Sequence, residues 1–96
     1  MATPTLLTPG EVADGLATLP HWRGGTEGLV RSVAVDGPEA VLAKVGALAD
    51  ELDHHPVVER DGPVLTFLVW THVSGGVTHR DLRLARAIEA VLEESV

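Results

Sequence analysis

The spacing of apolar residues changes period several times along the chain, and each change marks an element. From Thr8 to Pro20 the period is helical. Thr8-Pro9-Gly10-Glu11 supplies an N-cap, a proline at the first helical position and an acid that closes a capping box. Val12, Leu16 and Leu19 give this helix one apolar side, and Pro20 ends it. His21-Trp22-Arg23 is a short extended piece and Gly24-Gly25-Thr26-Glu27-Gly28 a hairpin loop. Leu29 to Val35 alternates as a strand, with Leu29, Val33 and Val35 on one face. Asp36-Gly37-Pro38 stops it and starts a second helix, whose stripe is Val41, Leu42, Val45, Leu48, Ala49 and Leu52. Pro56 forces the chain out of helix by the residue before it, so His54 and His55 stand at the helix exit.

Val57-Val58-Glu59 reads as a short strand and Arg60-Asp61-Gly62-Pro63 as a turn. Val64 to Thr71 is the strongest strand. Leu65, Phe67, Val69 and Thr71 face one way, and Val64, Thr66, Leu68, Trp70 and His72 the other. Both faces are largely apolar, which suits a central strand or one covered by a partner. Val73-Ser74-Gly75-Gly76-Val77 is a loop, and Thr78 with Asp81 makes a second capping box. The last helix buries Leu84, Ala85, Ile88, Val91 and Leu92, and residues 93–96 fray. The order helix, hairpin, helix, hairpin, helix predicts an α+β domain over residues 1–96. It is a four-stranded antiparallel sheet with three helices on one face, α-β-β-α-β-β-α.

Composition narrows the function classes. At 96 residues the chain makes one small domain with a real core. One Phe, two Trp and no Tyr leave Val, Leu and Ala to fill that core, so oligomerisation is expected to supplement it. A net charge of −7 without clustered Lys or Arg argues against nucleic acid. No apolar run approaches the roughly 20 residues that cross a bilayer, and Met1-Ala2-Thr3-Pro4 lacks the features of a signal peptide. With no cysteine, disulfides and thiolate chemistry are excluded. A cytoplasmic protein with no membrane association is expected.

The chemistry-bearing stretch is Asp50-Glu51-Leu52-Asp53-His54-His55-Pro56, taken with Thr71-His72. Asp50, Glu51 and Asp53 crowd the C-terminal turn of a helix, where the macrodipole favours cations. A local rule broken in this way marks a candidate site. The histidines have three readings. They can be plain helix-terminus residues. They can be metal ligands with Asp50 or Asp53 behind them, although adjacent histidines rarely converge on one ion and the HExxH spacing is absent. They can be an acid–base set, since imidazole exchanges a proton near neutral pH. His21 and His79 read as surface residues, Trp22 as a core anchor with a ligand platform left open, and Asp81 as a capping residue with a site role left open.

The ordered set Glu51-Leu52-Asp53-His54-His55-Pro56, Thr71-His72 and Gly76-Val77-Thr78 with Asp81 resembles the pterin-4a-carbinolamine dehydratase family. Trp22 after Leu19-Pro20 matches that family's Leu-Pro-x-Trp, and the resemblance runs from about Leu19 to Leu92. It implies a homodimer or homotetramer with sheets joined edge to edge. It also implies removal of water from a 4a-hydroxytetrahydropterin to give the quinonoid dihydropterin, with no cofactor and no metal. The family's catalytic histidines fall on His54, His55 and His72. On this reading the substrate contacts are Asp50, Asp53, Trp22, Thr71 and Asp81, with His54 and His72 as the acid–base pair and His55 positioning the substrate.

This chain departs from the family pattern in three places. Val33 and Val35 stand where aromatics are usual, Asp61-Gly62-Pro63 replaces a Tyr-Asn turn, and Trp70 replaces a small residue before Thr-His. Trp70 shares the face of His72 and bears on which pterin fits. Two other functions remain beside the dehydratase. One is a protein-interaction module of the coactivator kind on the same fold. The other is a protein acting on another pterin, such as a molybdenum-cofactor-related species.

Overall fold

The computed structural model describes residues 3–94. The expectations placed on Met1, Ala2, Ser95 and Val96 therefore lie outside the described residues. Helix α1 (Pro9–Ala17) begins as the sequence predicts, with Thr8 and Glu11 closing a reciprocal capping box. The backbone N–H of Thr8, and then its hydroxyl, hold the Glu11 carboxyl below its ordinary value of 4.5. The helix stops at Ala17, three residues before Pro20, and at its end the Thr18 hydroxyl donates to the Gly15 carbonyl at 2.7 Å.

Strand β1 (Arg23–Gly25) corrects the predicted loop. Gly24 and Gly25 lie in the sheet, and only Thr26-Glu27 turn before β2 (Gly28–Ala34). The glycine at 24 is required: its φ is +135°, and a Cβ there would meet the Gly28 carbonyl oxygen at 2.1 Å. In β2, Leu29 is buried and Val33 half-buried on the helix side, as expected. Between them the same face carries Arg31, whose guanidinium pairs with Glu89 at 2.6 Å.

Helix α2 (Pro38–Leu52) buries Val41, Val45 and Ala49 and half-buries Leu42, Leu48 and Leu52. Strand β3 (Val57–Asp61) runs two residues longer than predicted, and Gly62-Pro63 alone makes the turn, with Gly62 at φ +58°. Strand β4 (Val64–Val69) ends before Thr71, which instead makes an isolated bridge to Gly76. A 3-10 turn, His72–Ser74, follows, and then helix α3 (His79–Glu94).

The sheet order is β1-β2-β4-β3, antiparallel throughout, so β4 is central. Its alternation is visible in burial. Leu65, Phe67 and Val69 are inaccessible under the helices, while Thr66 and Leu68 on the other face are half-buried and Val64 is exposed. One face of the sheet carries the core, joined by Leu84, Ala85, Ile88 and Leu92 of α3, and the other face is open. No helix among the described residues is long and apolar enough to cross a membrane.

Phe67 sits at the middle of this core on the central strand. Phe67→Ala is expected to cost about 3–5 kcal/mol through lost burial and the cavity left behind, read as a shift in the urea unfolding midpoint. A cost below about 1 kcal/mol would mean that Phe67 does not pack as described.

Candidate active site

The site forms where the exits of α2 and β4 meet the start of α3. Asp53 closes α2 in the left-handed conformation, φ 52° and ψ 41°, the only non-glycine with positive φ among the described residues. Aspartate tolerates this conformation better than most residues. The turn returns the Asp53 N–H to the Asp50 carbonyl and the His54 N–H to the Ala49 carbonyl at 3.1 Å. Asp53 therefore does not continue the helical face of Asp50. It sends the next two side chains in different directions: His54 goes inward with a side chain 12% exposed, and His55 outward at 59%.

His54 lands on Asp81. Its Nε2 lies 2.5 Å from Oδ1 of an aspartate that solvent does not reach. A buried carboxylate costs several kcal/mol unless charge and hydrogen bonds compensate, and this one is fully used. Oδ2 accepts from the Thr78 backbone N–H at 2.8 Å and from the Thr71 hydroxyl at 2.9 Å. Since Thr71 has a single hydroxyl proton, Thr78 donates to Thr71 across their 2.8 Å contact. The Thr78 oxygen in turn accepts from the Arg80 backbone N–H. Half of the predicted capping box is thus present, and its acid also reaches across to His54. No buried side-chain polar atom among the described residues lacks a partner.

An ionised carboxylate only accepts, so the His54 proton on this side is Nε2–H and the ring's second nitrogen, Nδ1, is left to exchange protons. His55 Nε2 meets Asp50 Oδ1 at 2.8 Å in the open, where such a pair orients the ring more than it stabilises the fold. His72 leaves the strand at the 3-10 turn, and its ring lies against the Trp70 indole, with centroids 4.3 Å apart and planes tilted by 46°.

These groups surround one cavity of about 350 Å³, lined by Asp53, His54, His55, Trp70, Thr71, His72, Val73 and Arg80. All three predicted histidines are on its wall. Asp50 stands behind His55, and Asp81 is buried behind His54, so Asp81 positions the ring and does not itself face the cavity. Thr71 lines the cavity but commits its hydroxyl to Asp81. Trp22 is not part of this wall. It is a core residue, 5% exposed, and its indole N–H donates to Glu89 at 3.0 Å. Arg80 was not anticipated from the sequence, although its place two residues after the Thr78 cap was the available signal. Among the described residues, no group of three or more His, Asp or Glu side chains is gathered as metal ligands. His21 and His79 are exposed, as predicted.

The chain is similar to known proteins over most of its length. Residues 5–91 match the family model described as pterin 4 alpha carbinolamine dehydratase. A protein of Mycolicibacterium smegmatis, provisionally named pterin-4-alpha-carbinolamine dehydratase, is 34% identical over 93% of this chain and 98% of its own length. A Mycobacteroides abscessus protein with the same provisional name is 36% identical over 88% of this chain and 93% of its own. A crystal structure from Brucella melitensis, described as a transcriptional coactivator/pterin dehydratase, superposes with a TM-score of 0.83 at 29% identity. It covers 88% of this chain and 96% of that one.

Asp81→Asn tests the pairing. The amide lacks the charge that the donors around Asp81 share, so a stability loss of about 1–3 kcal/mol is expected by urea unfolding. In ¹⁵N NMR the His54 ring is expected to lose its Nε2–H preference. Ring nitrogen shifts unchanged by the substitution would remove Asp81 as the partner that sets the tautomer.

Proposed function

Because the chain belongs to the pterin 4a-carbinolamine dehydratase family, we propose that it removes water from a 4a-hydroxytetrahydropterin, giving the quinonoid dihydropterin by histidine acid–base catalysis. The supporting observation is the His54–Asp81 pair set in a cavity that His55 and His72 also line. The reaction breaks the C4a–O bond. The lone pair of a ring nitrogen forms the new C=N bond as the hydroxyl leaves, the oxygen takes a proton to depart as water, and the nitrogen gives one up. His54 suits the base. Accepting a proton makes it an imidazolium, and Asp81 stabilises that cation at 2.5 Å while holding the ring in place. His72, exposed at the cavity edge, is the acid for the leaving oxygen. His55, oriented by Asp50, hydrogen-bonds the ring system, and Asp53 favours the positive charge that develops there.

No step requires a metal or a redox cofactor. The working form is a cytoplasmic homo-oligomer in this reading. In support, β3 is an edge strand exposed along its whole length, with Val57 and Val58 among its exposed residues. A pure interaction module on the same fold would have no use for three histidines gathered on one cavity, which favours the enzyme.

His54→Ala and His72→Ala are each expected to lower the dehydration rate by about 10²–10⁴-fold. The rate is measured on freshly generated substrate with the uncatalysed reaction subtracted and folding checked by circular dichroism. A wild-type rate no faster than the uncatalysed one would remove the dehydratase. Protein purified without nickel should keep its full rate after treatment with EDTA, and stoichiometric zinc by elemental analysis would overturn the metal-free mechanism.

A further inference from the structure

A second cavity lies on the open face of the sheet. It measures about 390 Å³ and is lined by Glu27, Gly28, Val30, Leu68 and Trp70. Trp70 belongs to both cavities, so its indole is their common wall, with His72 on one side and Val30 and Leu68 on the other. The register explains the shape. Val30 pairs with Leu68 and Leu29 with Val69, so one step further along Gly28 stands opposite Trp70. A Cβ on Gly28 would come within 3.1 Å of Leu68 Cδ1, so any side chain there would intrude on the floor of this cavity. What remains is a shallow apolar bed with Glu27 as its one charged group. Such a surface offers dispersion and apolar burial to a flat group and repels an anion.

We propose that Gly28, Val30, Leu68 and Trp70 form a substituent subsite, which selects a pterin carrying a flat apolar group at C6. This rests on the dehydratase reading: the bicyclic ring occupies the histidine cavity, and its substituent crosses Trp70 to lie over Val30 and Leu68. Trp70 is then the specificity-determining residue, since it joins the two cavities and fixes the angle at which the substituent leaves the ring. The small residue that the sequence resemblance places before Thr-His would leave no such wall.

The test compares 4a-hydroxytetrahydropterins bearing a 6-phenyl or a 6-methyl group. The wild type is expected to prefer the phenyl compound by about tenfold in kcat/KM, expressed in KM. Val30→Phe, which fills the bed, and Trp70→Ser, which removes the wall, are each expected to abolish most of that ratio. Should Val30→Phe fail to fold, Leu68→Phe fills the same space from the neighbouring strand. No wild-type preference, or a ratio that survives Val30→Phe within twofold, overturns the subsite. If Val30→Phe changes the sedimentation coefficient and leaves the ratio intact, the bed is covered by a second copy of the chain, and the subsite is again overturned. Turnover of neither substrate above the uncatalysed rate removes the dehydratase and the subsite together, whereas turnover of both at equal efficiency removes only the subsite.

Discussion

The carboxylate of Asp81 has no access to water, and every hydrogen bond that it would have made to solvent must be replaced inside the protein. The replacements come from three places that are distant in sequence. His54 arrives from the exit of α2, Thr71 from the end of β4, and Thr78 from the start of α3. One buried charge therefore ties together the three segments that enclose the cavity. It also sits in the first turn of α3, where a helix favours negative charge. One carboxylate caps the helix through Oδ2 and orients the His54 imidazole through Oδ1, so the site cannot loosen without loosening the helix start.

Two adjacent histidines serve different purposes here because one residue before them leaves helical geometry. Were α2 to continue through 54 and 55, the rings would point about 100° apart around one axis, and neither would be directed by a cap. The left-handed turn at Asp53 and the restriction imposed by Pro56 instead divide them, one toward a buried acid and one toward an exposed acid. The acidic crowding at this helix end works against the macrodipole. That cost is offset locally, since Asp53 makes the turn and Asp50 engages His55. The departure from helix preference is the arrangement that builds the site.

What could be read from the sequence was local or patterned. The cap at Thr8, the stripe of α2 and the alternation of β4 each depend on neighbours within a few residues, and the structure has them. The histidines and Asp81 were legible because their spacing resembles that of a family. Features that depend on register between distant strands were not legible. Gly24 and Gly25 look like loop residues until pairing with Leu29 and Gly28 places them in the sheet, with the Gly28 carbonyl against Gly24. Arg31 looks like an interruption in an apolar face until Glu89 of α3 arrives beneath it. There the same Glu89 oxygen accepts from Trp22, which commits that indole N–H to the core. Trp70 illustrates the middle case. Its alternation gave the open face that Val30 and Leu68 share, while its contact with His72 beside the 3-10 turn and its place between two cavities required the folded chain.

The place of His72 depends on residues distant from it in sequence. If β4 had continued, alternation would keep His72 on the open face of the sheet beside Trp70 and Leu68. The chain turns out of the strand because Thr71 bridges to Gly76, with Gly75 in the left-handed region between them. That tight loop is clamped from outside. The Ser74 hydroxyl donates to the Pro4 carbonyl, the Val77 N–H to the Thr26 carbonyl, and the Leu7 N–H to the Val77 carbonyl. Gly76 is pressed so closely on the Thr26 carbonyl that a Cβ would lie 2.5 Å from it. The segment before α1 and the turn between β1 and β2 thus set the position of a histidine that neither of them touches. Buried Asp81 fixes His54 through charge, whereas His72 is placed by backbone geometry and by its contact with Trp70. Of the two, His72 is the more exposed ring, held by its stretch of chain and not by a buried acid.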